Sequence, residues 1–432
     1  MPPESPPGPS GVPPTGVSPQ AAAAPRSKRT LFWVFTTYFG EGLPWSFLHQ
    51  MGTEYLTAIG ASKTQIGSTS LLHLAVTFKF LWGPIVDLFG TKRTWMWAMQ
   101  LVLGAGMLVV AAVVPSGNLG VFWALLGVLA ILHATHDIAC DGYYLLALDE
   151  RQRALFSGVR VAAFRAAMIA GSSGLVVLAG KTNWMLGFGA AGVLMTLIGL
   201  LNLAVTPRVA EPQADTDAGD AKASRGKRYA AAYVSFLTQP NAKMVLAFMF
   251  LYKLGDIMMF AMSKPLLRDI GIDTAQRGVL NGFGTAAFIL GSLAGGAVIS
   301  RKGLERCLIP MTFIQNLAIP LYILMAVARP TFSGVLPIVM VEQLAAGIGA
   351  AAHVVFLMQR CRAAFSATHY AFATAVVSLG STISGFISGP INDAVGHPLF
   401  FTIAFIASWP SLVLVFLVPR TPLETAKPVA AA

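Results

Sequence analysis

Nine ionisable side chains stand inside stretches that are otherwise apolar: Glu41, Lys79, Asp137, Asp141, Arg165, Lys253, Asp256, Glu342 and His353. At the centre of a lipid-embedded helix each would cost roughly 2.5–3.5 kcal/mol on insertion scales. Such residues persist where water, a counter-charge or a passenger molecule reaches them. Acids and bases are nearly matched, so mutual pairing in a central polar cavity would lower their cost. Asp137 and Asp141 are spaced i, i+4, on one helical face, with His133 one turn earlier. Two carboxylates that close repel when both are ionised, an arrangement suited to reversible proton binding. The alternative is that Asp137 neutralises Arg165 or Lys79. Glu41, Glu342 and His353 are further proton-coupling candidates; His353 lies 212 positions after Asp141. Lys253 and Asp256, spaced i, i+3, form either a local ion pair or part of a water-lined cavity. Lys79 sits among aromatics in Phe78-Lys79-Phe80-Leu81-Trp82, where it either snorkels to headgroups or offers a cation to an anionic solute beside Trp82. Trp45, Tyr143, Tyr144 and Tyr252 are suited to stacking on sugar or ring faces, although most aromatics in membrane helices serve packing or the interface.

The elements that must position these groups are membrane helices. Of 432 residues, 55% are hydrophobic and 11% charged, too little charged surface for a water-soluble globule. Apolar stretches run near 30–48, 65–86, 94–114, 120–146, 155–180, 185–205, 243–263, 276–299, 307–327, 333–359, 367–389 and 398–418, each close to the roughly 20 residues that cross a bilayer. The expected fold is all-α, with twelve transmembrane helices in two six-helix bundles. Its parts are a disordered cytoplasmic N-terminal tail (1–29), an N-terminal bundle (30–205), a polar cytoplasmic linker (206–242), a C-terminal bundle (243–418) and a C-terminal tail (419–432). The Pro/Ala/Gly/Ser-rich start has no apolar core of the kind a signal peptide needs. Cys140, Cys307 and Cys361 lack metal or disulfide spacing, so no metal site is expected. Phosphate-loop, nucleophile-elbow and zinc-protease motifs are absent from the sequence. Neither an enzyme nor a bound cofactor is therefore expected, and active transport would draw on an ion gradient, with protons as the coupling partner.

The net charge of +11 could suggest nucleic acid, but the basic residues sit in short blocks between apolar runs and report topology instead. With the N-terminus in the cytoplasm, 20 Lys and Arg fall on the cytoplasmic side and six (Lys63, Lys181, Lys264, Arg268, Arg277 and Arg329) outside. By the positive-inside rule both termini are then cytoplasmic. The chain also repeats. Ile59-Gly60-Ala61-Ser62-Lys63-Thr64-Gln65-Ile66-Gly67 recurs 211 positions later as Ile270-Gly271-Ile272-Asp273-Thr274-Ala275-Gln276-Arg277-Gly278. Near the same offset, Lys92 maps onto Lys302-Gly303 and the turn before Trp184 onto the turn before His397, as expected of two related halves. Between the second and third spans, Gly83, Asp87, Lys92 and Arg93 resemble the short cytoplasmic loop signature of the major facilitator superfamily, which implies a conformational latch; a topogenic basic loop is the alternative.

Longer strings carry a narrower resemblance: Lys79-Phe80-Leu81-Trp82-Gly83-Pro84 with Asp87, Asp137-Ile138 with Asp141, Phe164-Arg165, Leu251-Tyr252-Lys253-Leu254-Gly255-Asp256, and Phe365-Ser366-Ala367-Thr368. Together they are similar to the AmpG-like muropeptide permeases, a branch of that superfamily which also includes acetyl-CoA transporters and siderophore permeases. The resemblance implies proton-driven import of anhydromuropeptides across a bacterial inner membrane by a monomer, with charges of the second, fourth, fifth and seventh spans lining the route. The sequence departs from the family at Tyr143-Tyr144, where a Trp-Lys pair is usual, and at Ser381, where an Arg is expected. The lost cations favour, as the alternative, another organic solute such as a siderophore or CoA thioester. A non-transporting membrane sensor is a third reading, opposed by the number of intramembrane charges.

Overall fold

A computed structural model describes residues 28–148, 150–209, 233–362 and 366–421. Among them run helical rods that we label α1 (28–58), α2 (63–88), α3 (92–116), α4 (Leu119–Ala147), α5 (150–181), α6 (Trp184–Val205), α7 (242–269), α8 (Thr274–Lys302), α9 (304–328), α10 (Phe332–Gln359), α11 (Ser366–Val395) and α12 (His397–Leu417). Of the expected tails, 1–27 and 422–432 lie outside the described residues, as does 210–232 of the expected linker; Lys28 and Arg29 instead open α1, and 233–237 of the linker is a short helical piece.

Ten of these rods, α3 to α12, are long and apolar enough to cross a membrane. α1 and α2 fall outside that set for visible reasons. α1 carries Glu41, His49, Gln50 and Glu54 and passes through a π-helical turn at Phe47–Met51; α2 alternates α and 3₁₀ pieces around Lys79. π turns add one residue per turn and turn side chains out of register, and they recur at functional positions. α5 carries a second one at Ala170–Leu175, in contact with that of α1. Large apolar side chains such as Val128, Leu293, Val327 and Val413 stand mostly exposed, as membrane-facing surfaces do.

The sequence repeat has a local physical cause. α1 and α7 each run into a glycine at positive φ, Gly60 (+77°) and Gly271 (+94°), a backbone region that glycine enters without a steric penalty. Two residues on, Ser62 with Gln65 and Asp273 with Gln276 form reciprocal capping boxes that start α2 and α8. The recurring Ile-Gly…Gln-x-Gly text is therefore a helix stop followed by a helix start, written once in each half.

Within the first half α1 packs on α5 and α6, and α3 packs on α4 and α6; within the second, α10 packs on α8 and α9, and α12 on α7 and α9. Small residues permit the closest approaches: a Cβ on Gly291 of α8 would lie 2.1 Å from the Leu344 carbonyl of α10. The halves meet chiefly through α2 with α11 and α5 with α8, and through the end of α1 with α7. Since α2 and α5 correspond to α8 and α11 under the repeat, the two main contacts are one contact exchanged, as pseudo-two-fold halves require.

One end of the molecule is joined and the other divided. At the end away from the termini, a single apolar cluster includes Phe47, Tyr55 and Phe188 of the first half with Met262, Tyr322 and Phe401 of the second. Toward the termini each half closes on a cluster of its own, around Trp33, Tyr38 and Tyr143 in one and around Phe236, Phe248 and Phe356 in the other.

Candidate functional site

The joined end is held by polar contacts across the halves. Arg277 of α8 donates from Nε to Glu54 of α1 at 2.8 Å, with both side chains essentially without solvent exposure. The guanidinium also donates to the Ile272 carbonyl at 2.7 Å and to Thr274 Oγ1 at 3.1 Å. Asn281 donates to the other Glu54 oxygen at 3.0 Å and to the Ser172 carbonyl of α5 at 3.2 Å. Nearer the rim, Asp393 accepts from the backbone N–H and hydroxyl of Thr64 at 2.9 and 2.8 Å, while Asp269 meets Lys63 at 3.8 Å and His397 at 2.8 Å. Glycines bring the backbones together there: a Cβ on Gly389 of α11 would lie 2.2 Å from the Lys63 carbonyl, and one on Gly180 of α5 2.5 Å from the Ala275 nitrogen.

Behind this seal, between the halves, lie two adjoining cavities of about 190 and 260 Å³ that share Trp45, Gln50, Ile257 and Phe260. The first holds Arg165, Lys253, Asp256, Asn281 and Gln343; the second holds His49, His73, Lys264, Ser70 and Thr382. Lys253 donates to Asp256 at 3.1 Å. This pair sits where α7 is interrupted between Leu251 and Leu254, so it faces the cavity from a break in the helix. Arg165 has no carboxylate partner among the described residues; its guanidinium lies 5.1 Å from the Phe288 ring of α8 and contacts Met168 Sδ. Lys264 is buried, donating to the Gln50 carbonyl across the halves at 3.3 Å. Three cations against one carboxylate leave this chamber with an excess of positive charge.

A second charged group lies inside the first half, away from the residues lining those cavities. Lys79 is paired with Asp137, and Arg160 donates to Asp141 at 2.7 Å while Tyr38 donates to the same Asp141 oxygen at 3.1 Å. Arg160 also lies over the Tyr38 ring at 4.5 Å. Glu41 is buried beside these carboxyls, with Oε2 unpartnered. Of the two cations weighed for Asp137, Lys79 is the one that reaches it. Arg160, which sequence reasoning passed over, takes Asp141. On an α-helix five residues turn through about 500°, so Arg160 and Arg165 point in different directions.

The remaining candidates fall elsewhere. Tyr143 donates to the Pro207 carbonyl at 2.7 Å and packs on Trp33; Tyr144 packs on Tyr38. Tyr252 is buried, donating to the Gly349 carbonyl at 2.8 Å and stacked on His353 at 4.1 Å, and His353 Nε2 has no partner. None of these four lines the two cavities. Glu342 is buried one residue from the cavity wall, accepting from Gln343 at 2.9 Å. Trp82 donates to Thr135 of α4 at 3.0 Å. In the short loop, Gly83 begins the last piece of α2 and the Lys92 stem lies over Gly142. Arg93 donates to the Leu203 and Thr206 carbonyls at the end of α6, at 2.6 and 2.9 Å, the favourable place for a cation on a helix. The side chain of Asp87 lies outside the described residues, as do those of the Phe365–Thr368 string.

Two assignments are corrected. Lys264 and Arg277, expected on the outer side, are buried between the halves, because α1 and α7 run about a turn or more beyond the expected ends near 48 and 263, so that Lys264 lies within α7 against Gln50 and Arg277 in the first turn of α8 against Glu54. Glu54 was missed for the same reason. The available signal was the absence of any helix stop between Leu48 and Ile59-Gly60.

The described geometry agrees with what the chain is similar to. The family model "Major Facilitator Superfamily" matches residues 30–389. An anhydromuropeptide permease of Escherichia coli (strain K12) is 29% identical over 392 residues, covering 89% of this chain and 78% of that protein. Among solved structures, a peptide transporter POT in complex with alafosfalin superposes with a TM-score of 0.65 at 14% identity, covering 91% of this chain and 95% of that one. The nucleoside transporter NupG superposes with a TM-score of 0.62 at 17% identity, covering 90% and 98%. An all-helical membrane protein in two related halves, sealed at one end around a central polar chamber, this chain belongs to the major facilitator superfamily of transporters.

Proposed function

We propose that this transporter imports anhydromuropeptides across a bacterial inner membrane, driven by protons, with both termini in the cytoplasm. All twelve rods cross the bilayer in this reading, α1 and α2 included. The observation that carries it is the chamber between the halves, where Arg165, Lys253 and Lys264 face a space with Asp256 as its acid. An anionic solute carrying carboxylates supplies the missing negative charge. Trp45 and Phe260, shared by both cavities, offer flat apolar faces to rings. Similarity to an anhydromuropeptide permease selects this solute among organic anions.

The joined end then faces the periplasm, and the divided end faces the cytoplasm. Transport requires the Glu54–Arg277 seal to open while the halves close over the chamber at the opposite end, around a site that stays between them. The Asp137 and Asp141 carboxyls, held by Lys79 and Arg160 within one half, are the coupling site: proton binding weakens their pairing and biases the switch. Glu41 shares that charge cluster, and Glu342 and Asp256 shape the solute site from the second half.

The test is uptake into proteoliposomes with an imposed pH gradient, acidic on the side that the seal faces. Labelled anhydromuropeptide is expected to accumulate above equilibrium and to be released when a protonophore collapses the gradient. Accumulation of a ferric siderophore or a CoA thioester, with none of the muropeptide, would replace this reading by that of a permease for another organic solute. The latter is the reading favoured by the Tyr143-Tyr144 and Ser381 departures.

A further inference from the structure

The carboxyl cluster of the first half and the chamber between the halves are separate, yet a proton that drives transport must be felt at both. Histidines stand toward both, two on the wall of the second cavity and one a turn from Asp137. His49 sits on the π turn of α1, its ring 5.0 Å from Trp45 and 5.4 Å, edge-on, from the ring of His73 on α2. Both histidines line the second cavity, with Lys264. His133 of α4 is buried one turn before Asp137, on the helix against which the His73–Phe78 piece of α2 packs. Buried ring nitrogens on two of these residues have no hydrogen-bond partner: His49 Nε2 and His133 Nδ1. A buried polar atom without a partner costs roughly 1–3 kcal/mol, and each of these nitrogens is free to take up or hold a proton.

We propose that His49, His73 and His133 form an imidazole relay that carries the coupling proton between the chamber at Lys264 and the carboxylate of Asp137. Each ring accepts a proton at one nitrogen and releases the proton held on the other, so one proton moves and the ring returns to neutrality once the tautomer resets; no oxidant, metal or covalent step is involved. The π turn has a role here, since the extra residue brings His49 and Gln50 together to the cavity wall. This inference rests on the proton-coupled reading above.

The charged and titratable groups that face the relay are few. His49 touches the His73 ring from α2 and shares the cavity wall with Lys264 from α7, its π turn packs on α4, which carries His133, and Arg165 of α5 stands on the adjoining cavity wall. The parts of α5 and α6 that pack on the π turn, Ala170–Leu175 and Trp184–Val205, carry no titratable side chain. On α4, His133 stands one turn before Asp137, the partner of Lys79, with His136 nearby, where it contacts Cys140.

Two readouts test the relay, one of them independent of any solute. Trp45 lies against His49, and an imidazolium quenches a neighbouring indole, so the emission of the protein minus that of Trp45→Phe reports His49 protonation in ligand-free detergent. A transition is expected on acidification, absent in His49→Gln and displaced by about half a pH unit or more in His133→Gln and in Asp137→Asn, through the electrostatic coupling of neighbouring sites. A flat profile in the unaltered protein, or a midpoint that neither variant moves, overturns the relay. In proteoliposomes, His133→Gln is expected to keep anhydromuropeptide counterflow within about twofold while gradient-driven accumulation falls about tenfold; equal accumulation also overturns it. His73→Gln replaces His133→Gln in the emission titration should the latter not fold, where a midpoint it leaves unmoved overturns the relay. Should the unaltered protein show no counterflow at all, the solute assignment fails while the emission titration still decides the relay.

Discussion

Two ion-paired regions of this transporter use the same residue types to different ends. Glu54 and Arg277 belong to different halves, are both essentially without solvent exposure, and share Asn281 as a third member. Lys79, Asp137, Arg160 and Asp141 belong to a single half, and the Asp141–Arg160 side chains remain more than a third exposed. A dry pair between two bodies ties those bodies together, because separating them strands each charge. A wet pair within one body leaves the body intact when a proton arrives, and changes only its charge. The location of a pair relative to the moving parts, more than its strength, decides whether it serves as a gate or as a sensor.

Breaking the gate is the strongest probe of that distinction. Arg277→Ala leaves Glu54 buried without its counter-charge, a class of change that costs about 3–5 kcal/mol; thermal melting in detergent is expected to show the loss. The double change Glu54→Gln with Arg277→Gln is expected to recover most of it, because no buried charge is left over. A double variant as unstable as Arg277→Ala would mean that the site matters by its shape and not by its charge.

Next in size is a change that adds no charge. Gly389→Ala places a methyl group where the Lys63 carbonyl already lies, a backbone neighbour that cannot rotate away, so closure at that end is expected to lose about 1–3 kcal/mol. A cysteine introduced at Ser70, on the cavity wall behind the seal, is then expected to react at least tenfold faster with a membrane-impermeant thiol reagent applied from that side. Unchanged labelling would show that the seal tolerates the extra volume.

The sensor region sharpens the comparison from the other side. Asp141→Asn is expected to lower gradient-driven accumulation about tenfold while leaving solute exchange and thermal stability near those of the unaltered protein; accumulation that survives intact removes Asp141 from the coupling site. The smallest effect belongs to the rim. Asp269, partly exposed between Lys63 and His397, is of the class whose pairs contribute about 0–1 kcal/mol. Asp269→Asn is accordingly expected to shift the melting temperature slightly at low salt and not at high salt.

Much of this organisation is legible in the residues themselves. Ten of the expected apolar runs correspond to α3 to α12, because a bilayer-length run of apolar residues has few structures other than a helix that satisfy its backbone polar groups. The 211-residue repeat reads out as paired helix stops and capping boxes for an equally local reason: capping depends on side chains three residues apart. The spacing of Lys253 and Asp256 left a local ion pair and a water-lined cavity both open, and the structure has the pair on a cavity wall.

Partners drawn from different helices are another matter. Nothing in the sequence says that Asp137 meets Lys79 and not Arg165, that Arg160 meets Asp141, or that Arg277, beside a turn, is buried against Glu54 from 223 positions away. The residues by themselves determined that this protein is helical, membrane-embedded and built twice over, because those properties follow from hydrophobicity and short-range hydrogen bonding. Only the tertiary structure decided which charges stand in one half and which cross between halves, because that depends on helix rotation and on how the two halves pack, and both are set by contacts between residues far apart in the chain.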